Sequence, residues 1–184
     1  MKKTDLSTFD NRWFDPGAGE IKRLIWYIVS WAFFESGILM PYSWKRSILR
    51  MFGAKVSPGV VIKPHVQIKY PWKLTIGDHA WIGEHVWIDN LDAVTIGAHA
   101  CISQGALILC GNHDYTASNF ALMVRPITIE EGAWVGARAM VTQGVTMGSH
   151  AVLAAGSIAS GDMEPYSIYR GNPAVKIKER TFKG

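Results

Sequence analysis

Between residues 56 and 158 apolar positions recur every six residues, a spacing that fits neither an amphipathic helix nor an ordinary half-buried strand. The fragments IGDHAW, IGEHVW, IGAHAC, VGARAM and MGSHAV show the unit: an aliphatic residue or Met, usually a Gly after it, and a small or β-branched residue in fifth place. Units begin at Val56, Ile62, Ile68, Ile76, Ile82, Ile88, Ile96, Ile102, Ile108, Ile129, Val135, Val141, Met147 and Leu153. A fixed period of this kind marks a solenoid of stacked units. The fifth residue of one unit and the first of the next lie two apart, so both project from one face of a strand. Ala80 with Ile82, Ala100 with Ile102 and Ala133 with Val135 are therefore predicted to line the interior. Three units make an 18-residue coil, and early coils begin 20 residues apart through two-residue extensions near Pro71 and Leu91. That arithmetic predicts a triangular prism of short strands.

The residues between inward pairs must turn the corners. Fourth place holds Gly59, His65, His79, His85, His99, Gly105, Gly132, Arg138, Gly144, His150 and Gly156. Glycine takes positive φ freely and His is enriched there, so this column is predicted to be left-handed backbone. Five of the six histidines are thereby given structural work. His113 is not, because Ile108 and Ile129 are 21 residues apart, one unit plus 15 extra, which puts His113 in a loop inserted into a regular coil. A rigid scaffold carrying one irregular loop is a common way to place reactive groups.

The outward residue of each strand reads Val61, Gln67, Trp81, Trp87, Cys101, Leu107, Trp134, Met140, Thr146 and Val152, eight of ten apolar. Such a surface is expected to be covered by a partner, and a closed homo-oligomer covers it several times over. The chain has 184 residues, 48% of them hydrophobic, enough for one buried core with a terminal extension. Two cysteines, Cys101 and Cys110, are too few for a disulfide framework and lack zinc spacing, which fits a reducing compartment such as the cytoplasm. Asp5, Asp10 and Asp15 occupy the place of a signal peptide's apolar segment. The net charge of +4 is compatible with an anionic ligand or lipid headgroups and does not call for nucleic acid.

The hexapeptides, the inserted loop with its His, and the closing YRGNPAVKIKER together resemble the hexapeptide-repeat acyltransferases, over residues 21 to 180. FGAKVSPGVVIKPHVQIKYPWKLTIGDHAWIGEHVWI with IGAHACISQGALILCGNHDY is similar to the colanic acid biosynthesis acetyltransferases in particular. The resemblance implies a left-handed parallel β-helix assembled as a homotrimer; the handedness comes from the family alone, since parallel crossovers are usually right-handed. It also implies transfer of acetyl from acetyl-CoA to a sugar hydroxyl of an exopolysaccharide or lipid-linked oligosaccharide. His113 falls where that family has its catalytic His. A neutral imidazole can take the hydroxyl proton as the oxygen attacks the thioester, with no covalent enzyme intermediate. Asp114 is a candidate to orient the ring or contact the acceptor, an acidic residue from elsewhere being an equal alternative. Asp89 and Asn90 lie on the preceding extended coil, and Asn90 is a candidate for acceptor hydroxyls, although an Asx turn explains it too. The Asn used by sugar-acetylating relatives aligns near His85 here.

By the same resemblance Trp134, Ala137, Ala155, Ser160 and Lys178 fall at CoA-contacting positions. Many relatives have a Lys after the equivalent of Ser160, where this chain has Gly161. Arg170, Lys176 and Arg180 offer further phosphate contacts. No metal is expected. A γ-type carbonic anhydrase on the same prism would need converging imidazoles, and five histidines are already assigned to corners. A non-catalytic scaffold, or an acyltransferase with another donor or acceptor, is the remaining alternative.

The expected organisation is an N-terminal arm with helices over 1–52, a β-helix over 53–180 with the loop at about 110–126, and a tail over 181–184. FDPGAG reads as a turn-rich hinge. LIWYIVSWAFFESGILM, residues 24 to 40, reads as a helix lying against the trimer or at the membrane surface, with Glu35 costly for a true span. In YSWKRSILRMFG the residues Lys45, Arg46 and Arg50 are candidates for anionic headgroups, and so for peripheral membrane contact at the inner face.

Overall fold

The computed structural model describes residues 3–183; Met1, Lys2 and Gly184, the outer ends of the expected arm and tail, lie outside the described residues. Every unit start named above is buried, from Val56 to Leu153, and so are Ala80, Ala100 and Ala133. The coils stack as three sheets of five, seven and five strands. Within them neighbouring coils pair in parallel, and the rows stay in register. Lys55, Thr75, Thr95, Thr128 and Thr146 form the outward row of the first face. Val61, Trp81, Cys101, Trp134 and Val152 form that of the second face. Gln67, Trp87, Leu107 and Met140 form that of the third. The apolar outward residues are therefore gathered on two faces, and threonine dominates the other.

All the fourth-place residues have positive φ, from 55° at His79 and Arg138 to 78° at Gly144. Histidines of successive coils stack on one another there, His65 on His85 and His79 on His99, and where Gly stands room is a cause as well as φ: a Cβ on Gly132 would collide with the His150 ring of the next coil. The second-place glycines have a different cause. A Cβ on Gly97 would stand 2.5 Å from the backbone nitrogen of Glu131, so coils could not approach closely enough to bond.

Beneath the first coil there is no further coil to donate to its carbonyls, and helices replace it. Helix α1 runs Glu20–Ser30, continues as a π turn over Trp31–Glu35 and stops at Ser36. Helix α2 runs Tyr42–Met51. Arg50 Nε donates to the Val56 carbonyl at 2.7 Å, Arg46 Nη1 to Val60 at 2.8 Å, and Trp26 Nε1 to Ile68 at 2.8 Å. Higher up, the equivalent carbonyls of Ile76, Ala80 and Ile88 take backbone N–H groups from the preceding coil. The side chains thus satisfy acceptors that would otherwise be buried without partners. Lys45, only 1% exposed, donates to Lys63 O at 2.9 Å, and burial pushes its ammonium pKa down. Of the three candidates for lipid headgroups, Lys45 is thereby withdrawn from the surface, while Arg46 and Arg50 each spend a donor on the prism and Arg50 stays exposed. Among the described residues no helix is long and apolar enough to cross a membrane. α1 and the start of the π turn nevertheless keep an exposed outer stripe of Ile21, Leu24, Ile25, Ile28 and Trp31.

Candidate active site

Three irregularities stack on one corner, between the third and first faces. They are the turn Pro71–Lys73, the bend after Asp89, and the insertion after Leu109. The insertion is a β-hairpin in which Gly111, Asn112 and His113 pair antiparallel with Val124, Met123 and Leu122. Gly111 sits where a Cβ would come 2.6 Å from Leu91 Cδ1, so the hairpin root is fitted closely to the coil before it.

His113 is half-buried and held on two sides. Its ring lies parallel to Phe120 with centroids 4.5 Å apart, and Phe9 of the N-terminal arm approaches at 5.8 Å. Its Nδ1 is 2.8 Å from the Phe120 carbonyl, on a residue whose φ is 51°. A carbonyl can only accept, so Nδ1 carries a proton, and the tautomer this contact selects has its lone pair on Nε2. Asp114, the sequence candidate for orienting the ring, does other work: its Oδ1 takes the backbone N–H of Thr116 at 2.9 Å and the Thr116 hydroxyl at 2.6 Å. Those bonds lower its pKa and close the hairpin tip as an Asx turn. The orienting acceptor is a backbone carbonyl, which no side-chain motif could announce.

Beside His113 lies a cavity of about 850 Å³. Gly111, Asn112, His113 and Leu122 form its hairpin wall, and Lys69, Tyr70, Asp89 and Leu91 its coil wall. The third wall, from the N-terminal arm, includes Phe9, Arg12, Phe14 and Arg23. Sequence reasoning missed this use of the arm. Its anchors are long-range: Trp72 Nε1 donates to Pro16 O at 2.6 Å, Lys73 Nζ to Asp15 O at 2.8 Å, and Asp5 N to Ser118 O of the hairpin at 2.8 Å. Burial pushes the Lys73 ammonium pKa down, against the charges of Asp92 and Asp15. The only local sign was the cluster of Phe9, Trp13 and Phe14 in an otherwise polar segment.

Asn90 is corrected. It is fully buried, its Oδ1 accepts from Tyr70 N at 2.9 Å, and its Nδ2 donates to Tyr70 O. Both amide atoms are engaged in bracing two coil bends, so neither reaches an acceptor. Asp89, one residue earlier, faces outward into the cavity and pairs with Lys69 Nζ at 3.0 Å. A shift of one residue along a strand exchanges the two faces, and Ile88 being inward already required Asp89 to be outward.

The expected CoA positions divide into two groups. Trp134 stands on the second face, 46% exposed, with Nε1 donating to Ser103 Oγ at 2.8 Å. Ala137 and Ala155 stack at the corner between the second and third faces, where Gly156 N donates to Ala137 O at 2.9 Å. Lys178 is exposed on the terminal strand Ala174–Glu179, opposite Ile168 of the second face. Ser160 is exposed on the hairpin-bearing corner, beyond the pair Val141 and Ala159. That corner is the edge opposite the second face, so within one chain His113 and Trp134 do not face a common space. Two basic residues of the tail are committed elsewhere: Arg180 Nη1 donates to Gly132 O and His150 O, and Lys176 is paired with Glu164 and Glu179, which raise its pKa.

Residues 126–158 match a family model described as the hexapeptide repeat of succinyl-transferase. The chain is 40% identical over 176 residues to WcaF of Escherichia coli K12, named for a role as a colanic acid biosynthesis acetyltransferase, covering 96% of this chain and 97% of that one. It is 28% identical over 138 residues to the Escherichia coli galactoside O-acetyltransferase, covering 73% and 68% of the two chains. The fold is similar to that of a hexapeptide-repeat acetyltransferase of Vibrio cholerae complexed with acetyl-CoA, at a TM-score of 0.79 and 23% identity over 92% of this chain and 93% of that one.

Proposed function

Since the chain belongs to the hexapeptide-repeat acyltransferases, we propose that it moves acetyl from acetyl-CoA to a sugar hydroxyl of an exopolysaccharide or lipid-linked oligosaccharide precursor. The observation that carries this reading is the His113 imidazole, with Nδ1 bound to the Phe120 carbonyl and the ring in the wall of the cavity. A sugar hydroxyl seated there gives its proton to Nε2 as its oxygen attacks the thioester carbonyl. Nδ1–H keeps its bond to Phe120 O while the ring becomes imidazolium, and the proton then passes to the leaving thiolate. Base catalysis of this kind is worth about 10²- to 10⁴-fold, the remainder coming from positioning and oxyanion stabilisation. Acetyl-CoA as donor is supported by the Vibrio cholerae neighbour, which is complexed with it.

The working unit in this proposal is a homotrimer. Trp134, Ala137, Ala155 and Lys178 lie away from the His113 corner, and a second protomer whose second face meets that corner would bring the two groups to one groove. The outward Trp81, Trp87 and Trp134, each more than 40% exposed, are the apolar surface such packing would cover. The same reading leaves Lys178 to meet the nucleotide phosphates and Ser160 to flank the pantetheine arm.

The experiment is to incubate the purified protein with acetyl-CoA and a panel of neutral and charged saccharides, and to follow acceptor mass and the position of the new ester. One acetyl gained on a hydroxyl oxygen is the expected product. Acetyl-CoA left unconsumed across the panel, or acetyl found on an amine instead, would reject the O-acetyltransferase reading.

A further inference from the structure

Three cations, Arg12, Arg23 and Lys69, line the cavity beside His113 together with two carboxylates, Asp89 and Glu20, so what matters is which guanidinium N–H groups those carboxylates leave unmatched. Lys69 is already neutralised by Asp89. Arg23 is not comparably satisfied. Its Nη2 lies 3.8 Å from a Glu20 carboxylate that is itself 93% exposed, and its buried Nε has no acceptor among the described residues. A guanidinium N–H withdrawn from water without a partner is destabilising, and an incoming oxyanion would remove that cost. Arg12 is presented differently. Its Nε and Nη2 are both bound to Asp10, at 3.0 and 2.6 Å, which fixes the plane of the guanidinium and leaves its Nη1 edge without an acceptor among the described residues. Two arginines at one cavity suit an oxyanion better than lysines would, because the planar fork matches the geometry of phosphate and carboxylate. The volume, about 850 Å³, accommodates a sugar together with such a substituent.

We infer that the acceptor is an anionic sugar, its phosphate or carboxylate held by Arg23 with Arg12 as second contact, and its reacting hydroxyl turned to His113. This rests on reading the cavity as the acceptor site and goes beyond it by fixing the charge of the substrate. Methyl galactoside, galactose 1-phosphate and galacturonate serve as probes, with binding followed by calorimetry on the full-length protein saturated with CoA, so that the phosphate sites of the donor are already filled. The anionic probes should bind about tenfold or more tighter than the neutral one. That advantage should collapse in Arg23→Gln, shrink in Arg12→Gln and weaken with added salt, while the affinity for CoA stays unchanged. Preference for the 1-phosphate over the uronate would identify phosphate as the anion, and the reverse order the carboxylate.

Equal affinity for all three probes, no detectable binding of either anion, or a preference that survives in Arg23→Gln would overturn the inference. The two levels separate cleanly. Loss of transfer in His113→Ala with no anionic preference sinks the charged acceptor alone, whereas anionic preference with undiminished transfer in His113→Ala sinks the reading of the site.

Discussion

Replacing Gly111 with Ala tests how closely the hairpin root is fitted to the coil that carries it. The backbone at Gly111 is not in the left-handed region, so alanine is conformationally acceptable and only space is at issue. The new Cβ would stand 2.6 Å from Leu91 Cδ1 and 3.6 Å from its Cγ. Carbon atoms pack at roughly 3.5–4.0 Å, so the leucine or the hairpin must yield by about 1 Å. The clashing atom is the end of a side chain that can turn aside in part, so the cost falls at the low end of the overpacking range, about 1 kcal/mol. The share of that movement taken by the hairpin root, two residues from His113, lowers turnover, by roughly 100-fold were it to reach about 1 Å. Leu91 is 9% exposed, and its truncation to alanine alone should cost about 2–3 kcal/mol. Combining the two changes puts a methyl group into the space the leucine leaves, so the double variant should be more stable than the sum of the single effects by about 1–2 kcal/mol. It should also regain turnover relative to Gly111→Ala. Urea unfolding of the four proteins closes the cycle without any need for an acceptor, and thiol release from acetyl-CoA measures turnover. Additive stabilities, or a Gly111→Ala variant with wild-type turnover, would refute the claim that this contact positions the catalytic loop.

Arg50→Gln and Arg46→Gln should each cost about 1–3 kcal/mol in urea unfolding, since each leaves a carbonyl of the first coil without its donor; an exposed salt-bridge residue would show far less. Asn90→Ala should lower stability by about 2–4 kcal/mol, because both the N–H and the carbonyl of Tyr70 lose their partner. Burial pushes the Cys110 thiol from 9.0 up to about 12, so its protonated form favours the folded state. That stability is whole below pH 9 and is lost as pH rises toward 12. Between pH 8 and 10 the wild type should therefore lose about 1.4 kcal/mol more unfolding free energy than Cys110→Ala does; parallel curves would mean the thiol is not buried in solution.

The prism was legible because its rule is local. Every six residues one side chain must be inward and one backbone must turn left-handed, and the sequence shows both requirements in single letters, as at Ile82 and His85. The loop and its His113 stood out as the break in that rule. Three things were not legible. The Gly that follows Ile76, Ile82, Ile96, Val135 and Met147 is set by the distance to the next coil, as at Gly97 against Glu131, which a single repeat cannot reveal. The arm reaches the cavity through partners more than 50 residues away, Pro16 on Trp72 and Asp15 on Lys73. The basic residues of α2 resemble a membrane-facing set until the first coil is seen to need donors from beneath. Asn90 is a different case, since the parity that made Ile88 inward already excluded it from the surface.

The most direct test of the account is the turnover of His113→Ala with a saccharide that the wild type acetylates, measured at saturating acetyl-CoA alongside the dissociation constant of CoA. The account predicts kcat reduced about 10²- to 10⁴-fold with CoA affinity and thermal stability close to wild type. A kcat within a factor of about three of the wild type would contradict it, because another group would then be taking the proton.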